Sequence, residues 1–315
     1  MRLNMNINII RKIKKYKTPK QNEYNNLAGY AYISPWLIGL IAFTLIPMIM
    51  SLYYSFTNYN MVSAPQWQGL KNYTNILLND STFWSSIKTT FFYTFLAVPM
   101  RLAFALILAV LFNQRRRFVG VYRTMFYIPS IIGGSVAVAV MWRQLFGSSG
   151  ALNSLLGLVG IESNTGWIGH PDTAIWTLII LAAWQFGSPM LIFLAGLKQI
   201  PTSLYEASVI DGCNWWQKFV KITLPMLSPV IFFNLVMQTI SGFMMFTQAY
   251  IITRGGPFDR TLVYVYYLFR RAFTYYEMGY ASALAWILLI IVAVITLIIF
   301  KTTPHWVHYE NKGEF

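Results

Sequence analysis

The polar residues best suited to a specific contact lie between two long apolar runs, at positions 205–225. The stretch reads YEASVIDGCNWWQKFVKITLP and contains two acids, two lysines, a glycine and a cluster of aromatic residues. An ordinary connector between two apolar helices needs only a few residues, whereas this one has more than twenty. Because exposed aromatic residues favour a partner surface, the composition indicates a contact with another protein rather than catalysis.

Residue types that bind metals or act as nucleophiles are sparse. His305 and His308 are three residues apart in a polar tail and His170 follows a glycine, so we interpret all three as solvated. Cys213 is the sole cysteine, which excludes a disulfide within the chain. The chain has neither an H-E-x-x-H sequence nor the G-x-x-x-x-G-K-[ST] sequence that holds ATP phosphates. We expect no metal site, no cofactor and no catalytic residue in this chain.

A second set of polar residues lies inside the apolar runs. Polar groups in a membrane helix face the protein interior, where they pair with one another or line a path. In the fifth run the polar residues, including Ser241, recur at intervals of four, three and seven, which places them on one helix face. Amides beside aromatic rings suit a sugar, but hydrogen bonding between helices remains an open alternative. The candidate path residues are Arg101, Trp184, Gln185, Asn234, Gln238 and Gln248.

Composition supports an all-α integral membrane protein. Of 315 residues, 56% are hydrophobic and 11% charged, whereas a soluble domain has about a quarter charged residues. A net charge of +14 would favour nucleic acid as a partner of a soluble protein. Here the basic residues cluster at the ends of apolar runs, so they indicate membrane topology and no nucleic-acid partner.

Six apolar runs are long enough to cross a bilayer as helices, since about 20 residues suffice. They lie at about 32–56, 87–112, 124–142, 173–197, 225–252 and 279–300. With the N-terminus inside, the inner segments hold 16 Lys and Arg residues and the outer segments 7. This excess predicts a multi-pass protein of the cell membrane with both termini in the cytoplasm. Residues 1–30 form a basic tail, 31–301 the transmembrane domain with a cytoplasmic loop at 201–225, and 302–315 a second tail.

The loop is predicted to fold as two short helices. Pro201 ends the preceding helix, and Ser203–Glu206 has the S-x-x-E spacing of a capping box. Gly212 can end the first short helix in a left-handed conformation, and Asn214 can cap the second. Pro225 fits the first turn of the next membrane helix.

The same loop carries a motif. Glu206-Ala207-Ser208, three residues, Gly212, nine residues, then Ile222-x-Leu224-Pro225 resembles the EAA signature of permease subunits of binding-protein-dependent ABC importers. Ser208 and Cys213 depart from the usual alanines but are also small. Segments at 122–134, 193–201, 253–261 and 278–286 further resemble carbohydrate permeases of the group of the larger maltose permease subunit. The resemblance implies that the loop couples the pore to an ATPase through Glu206, Ala207, Ser208, Asp211, Gly212, Leu224 and Pro225.

The resemblance also implies the partners. They are a second homologous permease, two ATPase subunits that bind ATP and Mg²⁺, an extracytoplasmic solute-binding protein, membrane lipid and an oligosaccharide substrate. The chain itself is then no enzyme, and it moves substrate by alternating access. A secondary carrier is the distant alternative, but carriers usually need intramembrane acids and none of the ten acids lies in a predicted span.

The class of oligosaccharide stays open between acidic and neutral. Arg101 lies inside the second span, where an arginine costs about 2.5–3.5 kcal/mol, and guanidinium groups pair well with carboxylates. Further arginines lie on the predicted outer side, at 143, 254, 260, 270 and 271. The segment 184–201 resembles the subgroup that includes importers of alginate, pectin or glycosaminoglycan fragments. A uronate-containing substrate is one hypothesis; a neutral oligosaccharide or a glycerol-phosphate-type substrate is the alternative.

Overall fold

A computed structural model describes residues 26–114, 117–161 and 166–308. Throughout these residues the regular structure is helical, apart from one isolated antiparallel bridge between Thr57 and Trp67. The chain divides into two compact units, residues 1–53 and 54–315. Most of the predicted basic tail and the last seven residues lie outside the described ranges.

The first unit contains one membrane-length helix. Helix α1 (Asn26–Leu40) continues through a π-helical turn (Ile41–Leu45) into α2 (Ile46–Ser55), whose last two residues belong to the second unit. The helical stretch Gly29–Ser55 is 27 residues long with a mean hydropathy of 2.0, so it is long and apolar enough to span a bilayer. The predicted first span, 32–56, coincides with it to within a few residues.

The second unit contains the remaining helices. Helix α3 precedes α4, which is the first membrane-length helix of this unit and the longest helix among the described residues. The helices of this unit are α3 (Lys71–Asn79), α4 (Ser81–Asn113), α5 (Val119–Ile132), α6 (Val136–Leu145), α7 (Ala151–Leu158), α8 (Ala174–Trp184), α9 (Gly187–Leu197), α10 (Thr202–Ile210), α11 (Trp215–Lys218), α12 (Leu224–Phe243), α13 (Tyr264–Phe269) and α14 (Met278–Trp306).

Helix α4 lies at the centre of this unit and packs against α8, α9 and α12. One apolar core joins α4 to α8, α13 and α14 through Phe83, Leu178, Tyr264 and Leu284. A second core joins α4 to α9 and α12 and includes Ala105, Phe193 and Leu227. The stretch Ala174–Leu197 is the most deeply buried membrane-length segment, so it forms the interior of the unit.

Five membrane-length helices are present in the described residues, and a sixth span exists if α5 and α6 together make one crossing. The prediction of an uninterrupted third span at 124–142 is wrong, because α5 and α6 meet at an angle of 96°. Ser135 ends the break by capping α6, its Oγ accepting a hydrogen bond from the Val138 N–H at 3.3 Å. At Gly133 an added Cβ would lie 2.4 Å from the Pro129 carbonyl oxygen, so the bend needs glycine there.

The fourth and fifth spans are also interrupted. Helix α8 ends at Trp184 and α9 begins at Gly187. Helix α12 ends at Phe243, and residues 244–246 separate it from a short helical segment that ends in a π-helical turn, Ala249–Thr253. The prediction of a continuous span at 225–252 is therefore wrong at its outer end, because the helix stops at Phe243.

The fifth span is also extended at its other end. Helix α11, a π-helical turn (Phe219–Thr223) and α12 form one continuous helix, Trp215–Phe243, so the predicted second short helix is the first part of this span. Pro225 lies in the first turn of α12, as predicted, but this turn continues the helix that begins at Trp215. Pro47 has the same setting, since each proline comes two residues after a π-helical turn. The wider turn relieves the clash between a proline ring and the carbonyl four residues earlier.

The sixth predicted span, 279–300, corresponds to α14, which begins at Met278 and continues to Trp306. Five of the six residues of that extension, 302–306, belong to what was predicted as the cytoplasmic tail. Pro304 lies within this last turn, where it removes only one hydrogen bond from the helix.

Candidate functional site

A polar cavity of about 230 Å³ lies beside the breaks of the fourth and fifth spans. One wall comes from α4, and the other walls come from the break after α8, from α12 and from the non-helical residues that follow it. Irregular backbone is tolerated at membrane depth only where protein buries it or a polar cavity receives it. The lining residues are Tyr93, Ala97, Val98, Arg101, Gln185, Gln238, Ser241, Gly242, Met244, Met245, Phe246, Thr247 and Gln248.

Arg101 reaches across the cavity wall from α4. Its Nε donates to the Ala182 carbonyl oxygen at 2.6 Å, and its Nη1 donates to Oε1 of Gln238 at 2.6 Å. These bonds link three separate spans, and they fix the plane of the guanidinium group. The arginine is thus both a structural link, as the sequence left open, and a positive charge at the cavity.

Gln185 closes the break of the fourth span against that of the third. Its Nε2 donates to the Gly133 carbonyl oxygen at 2.6 Å. Ser130 Oγ donates to the Gln185 carbonyl oxygen at 3.0 Å and accepts from the Ser188 N–H at 3.1 Å. Three side-chain bonds therefore compensate backbone groups that the broken helices leave unpaired.

Four of the six predicted path residues line this cavity, namely Arg101, Gln185, Gln238 and Gln248. Trp184 packs instead against Trp142, with ring centroids 5.8 Å apart. Asn234 is fully buried, and neither polar atom of its amide has a hydrogen-bond partner among the described residues.

Ser241, which the sequence placed on the same helix face as Gln238, also lines the cavity, but sequence reasoning missed the remaining residues of the wall. Tyr93 and Ala97 lie two turns and one turn before Arg101, so helical spacing from that arginine would have identified them. Met244, Met245 and Thr247 follow the end of α12, and no periodic signal marks such a break.

The loop 201–225 forms a surface with charged and apolar residues side by side. Glu206, Ala207, Asp211 and Gly212 are exposed. The predicted Ser208 points inward, where its Oγ donates to the Tyr205 carbonyl oxygen at 2.6 Å. Leu224 and Pro225 lie partly buried at the start of α12.

The turn between α10 and α11 follows from its residues. Gly212 has a φ of +72°, and the N–H of Cys213 donates to the Ser208 carbonyl while the N–H of Gly212 donates to Val209. This pattern is a Schellman motif, which a glycine at the left-handed position favours. Asn214 and Gln217 then form a reciprocal capping box at α11, with both bonds at 2.8 Å.

The predicted capping box at Ser203–Glu206 is absent. Helix α10 begins at Thr202, two residues earlier than that box requires, with Pro201 at the capping position and no side-chain cap. Pro201 has the extended backbone (φ −59°, ψ 131°) that precedes a helix, so the proline sets the start. Glu206 is thereby left exposed on α10 and free of the predicted capping bond.

The loop surface also has an aliphatic part that was not predicted from the sequence. Val209 and Ile210 are 62% and 88% exposed, next to Asp211. Trp215 and Trp216, each more than 60% exposed, pack with Phe219, and the rings of Trp215 and Phe219 are parallel at 5.7 Å. An exposed apolar surface with charged residues beside it is typical of a protein–protein contact.

At the opposite end of the helices, Asp80 is the centre of a polar cluster. Its carboxylate caps α4 by accepting from the Phe83 N–H at 3.0 Å, and it accepts hydrogen bonds from the hydroxyls of Tyr267 and Tyr280. Arg271 lies 3.4 Å from it. The cluster joins the starts of α4 and α14 to the segment after α13.

Burial alone would raise the pKa of Asp80. Hydrogen bonds from Tyr267, Tyr280 and the Phe83 N–H, together with the charge of Arg271, outweigh that effect and hold the pKa below its usual value. Arg271 also pairs with Glu277 at 2.7 Å.

Arg270 pairs with Asp259 at 3.0 Å, so the two adjacent arginines Arg270 and Arg271 both have acidic partners. From the sequence, both were counted among the arginines that add positive charge on the outer side.

Comparison with known proteins identifies the class. A family model described as "Binding-protein-dependent transport system inner membrane component" matches residues 76–301, which is more than half of the chain. The chain therefore belongs to this family, the membrane permeases of ABC transporters. It is a multi-pass membrane subunit and not an enzyme, and ATP hydrolysis resides in separate subunits.

Individual relatives cover nearly the whole chain. It is 58% identical over 292 residues to the "Probable ABC transporter permease protein YesP" of Bacillus subtilis (strain 168), covering 92% of this chain and 94% of that protein. It is 34% identical to the "Arabinooligosaccharides transport system permease protein AraP" of the same organism, covering 91% and 90%. It is 33% identical to the "Probable starch degradation products transport system permease protein AmyD" of Thermoanaerobacterium thermosulfurigenes, covering 87% and 93%.

The fold is also similar to a solved transporter. A chain of the "bacterial alginate ABC transporter in complex with alginate pentasaccharide-bound periplasmic protein" matches with a TM-score of 0.78 at 21% identity. The match covers 88% of this chain and 94% of that one. At this identity the likeness concerns the fold, and it agrees with the predicted all-helical membrane class.

Proposed function

We propose that this chain is one permease subunit of an ABC importer that carries an oligosaccharide across the cytoplasmic membrane. The observation that carries the proposal is the amide-lined cavity at the breaks of two spans, in a chain whose relatives are sugar permeases. Gln185, Gln238 and Gln248 supply donors and acceptors for hydroxyl groups, and Tyr93 and Phe246 supply aromatic surface. A cavity of about 230 Å³ accommodates a sugar unit at a time rather than a whole oligosaccharide.

The loop 201–225 is the contact with the ATPase in this proposal. Its exposed acids and aromatic residues lie at the end of the helices that the excess of Lys and Arg assigns to the cytoplasm. Six transmembrane helices then span the membrane, with α5 and α6 as one bent crossing and both termini inside. The working assembly contains a second homologous permease, two ATPase subunits and an extracytoplasmic solute-binding protein.

Within this function, an acidic oligosaccharide is the candidate that a specific observation favours. Arg101 presents a guanidinium group at the cavity, and no acid is among the described residues that line it. Among the fold relatives is a transporter of alginate, an acidic polysaccharide. A neutral oligosaccharide is the second candidate, because Arg101 is held by a carbonyl and an amide and can serve as a structural link alone.

The test is ATPase activity of the reconstituted complex with its binding protein, over matched neutral and uronate-containing oligosaccharides. Stimulation only by the charged members supports the acidic class. Stimulation only by neutral members overturns that class and retains the permease assignment. Transport by this chain without ATPase subunits would overturn the assignment itself.

A further inference from the structure

A large cavity lies away from the transport cavity, at the loop end of the helices. It measures about 920 Å³ and lies among the end of α4, the start of α5, the end of α9 and the start of α10. A smaller cavity of about 280 Å³ adjoins it and shares Asn113, Gln114, Leu197 and Tyr205 as lining residues.

The charged residues that line these two cavities are all basic. Arg123 and Lys198 line the larger one, and Lys218 lines the smaller. Neither lining contains an aspartate or glutamate, and none of the three cations forms a salt bridge within the described residues. A ligand that fits here carries negative charge.

Arg123 shows the sharpest mismatch between a polar group and its surroundings. One guanidinium nitrogen, Nη2, donates to the Phe112 carbonyl oxygen. Its Nε is buried and has no hydrogen-bond partner among the described residues. Because this Nε is closed off from solvent, a ligand in the cavity would meet the outer part of the half-buried guanidinium group, which binds anionic oxygens well.

Apolar residues line much of the remaining wall, beside the polar Asn113, Gln114, Thr202 and Tyr205. The apolar residues are Phe118, Val119, Leu197 and Ile200, and Phe118 is 65% exposed. Further along α5, Val121, Tyr122 and Met125 are exposed as well. A phosphate-sized anion alone would leave such walls uncovered, whereas a lipid has both a charged headgroup and acyl chains. Basic pockets between membrane helices recognise lipid headgroups by the same chemistry.

We propose that this cavity binds an anionic phospholipid, with its phosphate at Arg123 and Lys198 and an acyl chain along α5. The lipid would contact Tyr205, whose hydroxyl lies 2.9 Å from Oγ1 of Thr223 and so joins α10 to the π-helical turn before α12. Its placement in the cytoplasmic leaflet rests on the orientation in the proposed function, but the binding itself does not.

The test is native mass spectrometry of the full-length chain in neutral detergent with equal amounts of phosphatidylglycerol and phosphatidylcholine. Each basic residue near a headgroup contributes a factor of about five to affinity, so both together contribute about thirty-fold. We expect the wild type to retain more phosphatidylglycerol than phosphatidylcholine. The affinity for phosphatidylglycerol should fall about fivefold in Lys198→Gln and about thirty-fold in the Arg123→Gln/Lys198→Gln double variant. The exposed Lys301→Gln is the control for loss of one positive charge elsewhere.

Three results overturn the proposal: equal retention of the two lipids, an equal loss in Lys301→Gln and Lys198→Gln, or displacement of the lipid by an equal concentration of glycerol 3-phosphate. The last would identify a site for a free phosphate. If the double variant fails to fold, Lys198→Gln decides, since Lys198 is exposed and its replacement should be tolerated. Failure of transport leaves this measurement unaffected, because the binding assay needs neither partner subunits nor substrate.

Discussion

Gln185 Nε2 donates a hydrogen bond of 2.6 Å to the carbonyl oxygen of Gly133, and this bond joins the break of the fourth span to the break of the third. The two residues are 52 positions apart in the chain. An added Cβ at Gly133 would lie 2.6 Å from the Gln185 side chain, so the contact depends on the glycine as well as on the amide. The bend of 96° and the cavity beside it are therefore one structural feature.

Replacement of Gln185 by leucine removes the donor and leaves the carbonyl of the buried Gly133 without this hydrogen bond. We expect a loss of about 1–3 kcal/mol, measured as a lower thermal unfolding midpoint in detergent. Gln199→Leu is the matched control, because Gln199 is exposed at the end of α9 and should leave the midpoint unchanged. An equal decrease in both variants would show that the bond does not support the bend.

In the loop, Gly212→Asp should abolish stimulation of the ATPase by loaded binding protein while the chain still inserts. An aspartate there adds negative charge to the proposed contact surface and strains a backbone with a φ of +72°. Gly160→Asp is the control for strain alone, since Gly160 has a φ of +79° and, like Gly212, has no atom within 4 Å of an added Cβ. If loaded binding protein stimulated the ATPase equally in Gly212→Asp and Gly160→Asp, the loop would not be the contact with the ATPase.

Glu206→Lys tests the charge of the same surface without backbone strain. Glu206 is exposed and makes no cap, so the fold should tolerate lysine, whereas a partner with complementary charge should not. We expect normal membrane insertion and loss of substrate-stimulated ATPase activity in the assembled complex. Glu206→Gln is the milder companion variant, and we expect it to keep part of the activity. Wild-type uptake with Glu206→Lys would show that this acid does not contact the ATPase.

The sequence predicted those features that depend on neighbouring residues. Gly212 at the turn and Asn214 at the start of α11 follow from local preferences, and both appear as expected. The break at Gly133 was not predictable, because an apolar run with a glycine pair reads equally well as a tightly packed helix. Only the contact with Gln185, far along the chain, distinguishes the two.

Local rules also failed where two of them competed. Ser203 and Glu206 have capping-box spacing, but Pro201 starts the helix two residues earlier. In the cavity, helical spacing identified the shared face of Gln238 and Ser241 with Gln248, although the helix is interrupted between them. The partners of Arg101 are 81 and 137 residues away, and a single sequence contains no signal for them.

The carboxylate of Asp80 should make stability depend on pH in the acid range. The folded-state pKa of Asp80 lies below the unfolded value of 3.8, so its ionised form stabilises the fold above about that pH. That contribution is lost as the pH falls through the folded-state pKa. We expect the difference in unfolding midpoint between wild type and Asp80→Asn to be constant near neutral pH and to shrink below pH 3.8. A difference that shrinks instead between pH 8 and 6 would contradict this assignment.

Arg101 gives the decisive substitution for the substrate class. Arg101→Gln removes the charge at the cavity, and a hydrogen bond to a charged group is worth about 1.5–3 kcal/mol, or roughly tenfold to a hundredfold in affinity. If the substrate carries a carboxylate that Arg101 binds, uptake of the uronate oligosaccharide should fall by about that factor. Arg101→Lys keeps the charge but cannot hold Ala182 and Gln238 in one plane, so it separates charge from geometry. We expect the lysine variant to recover part of the uptake of the charged substrate. Equal losses in the lysine and glutamine variants, for charged and neutral substrates alike, would instead assign Arg101 to holding the spans together.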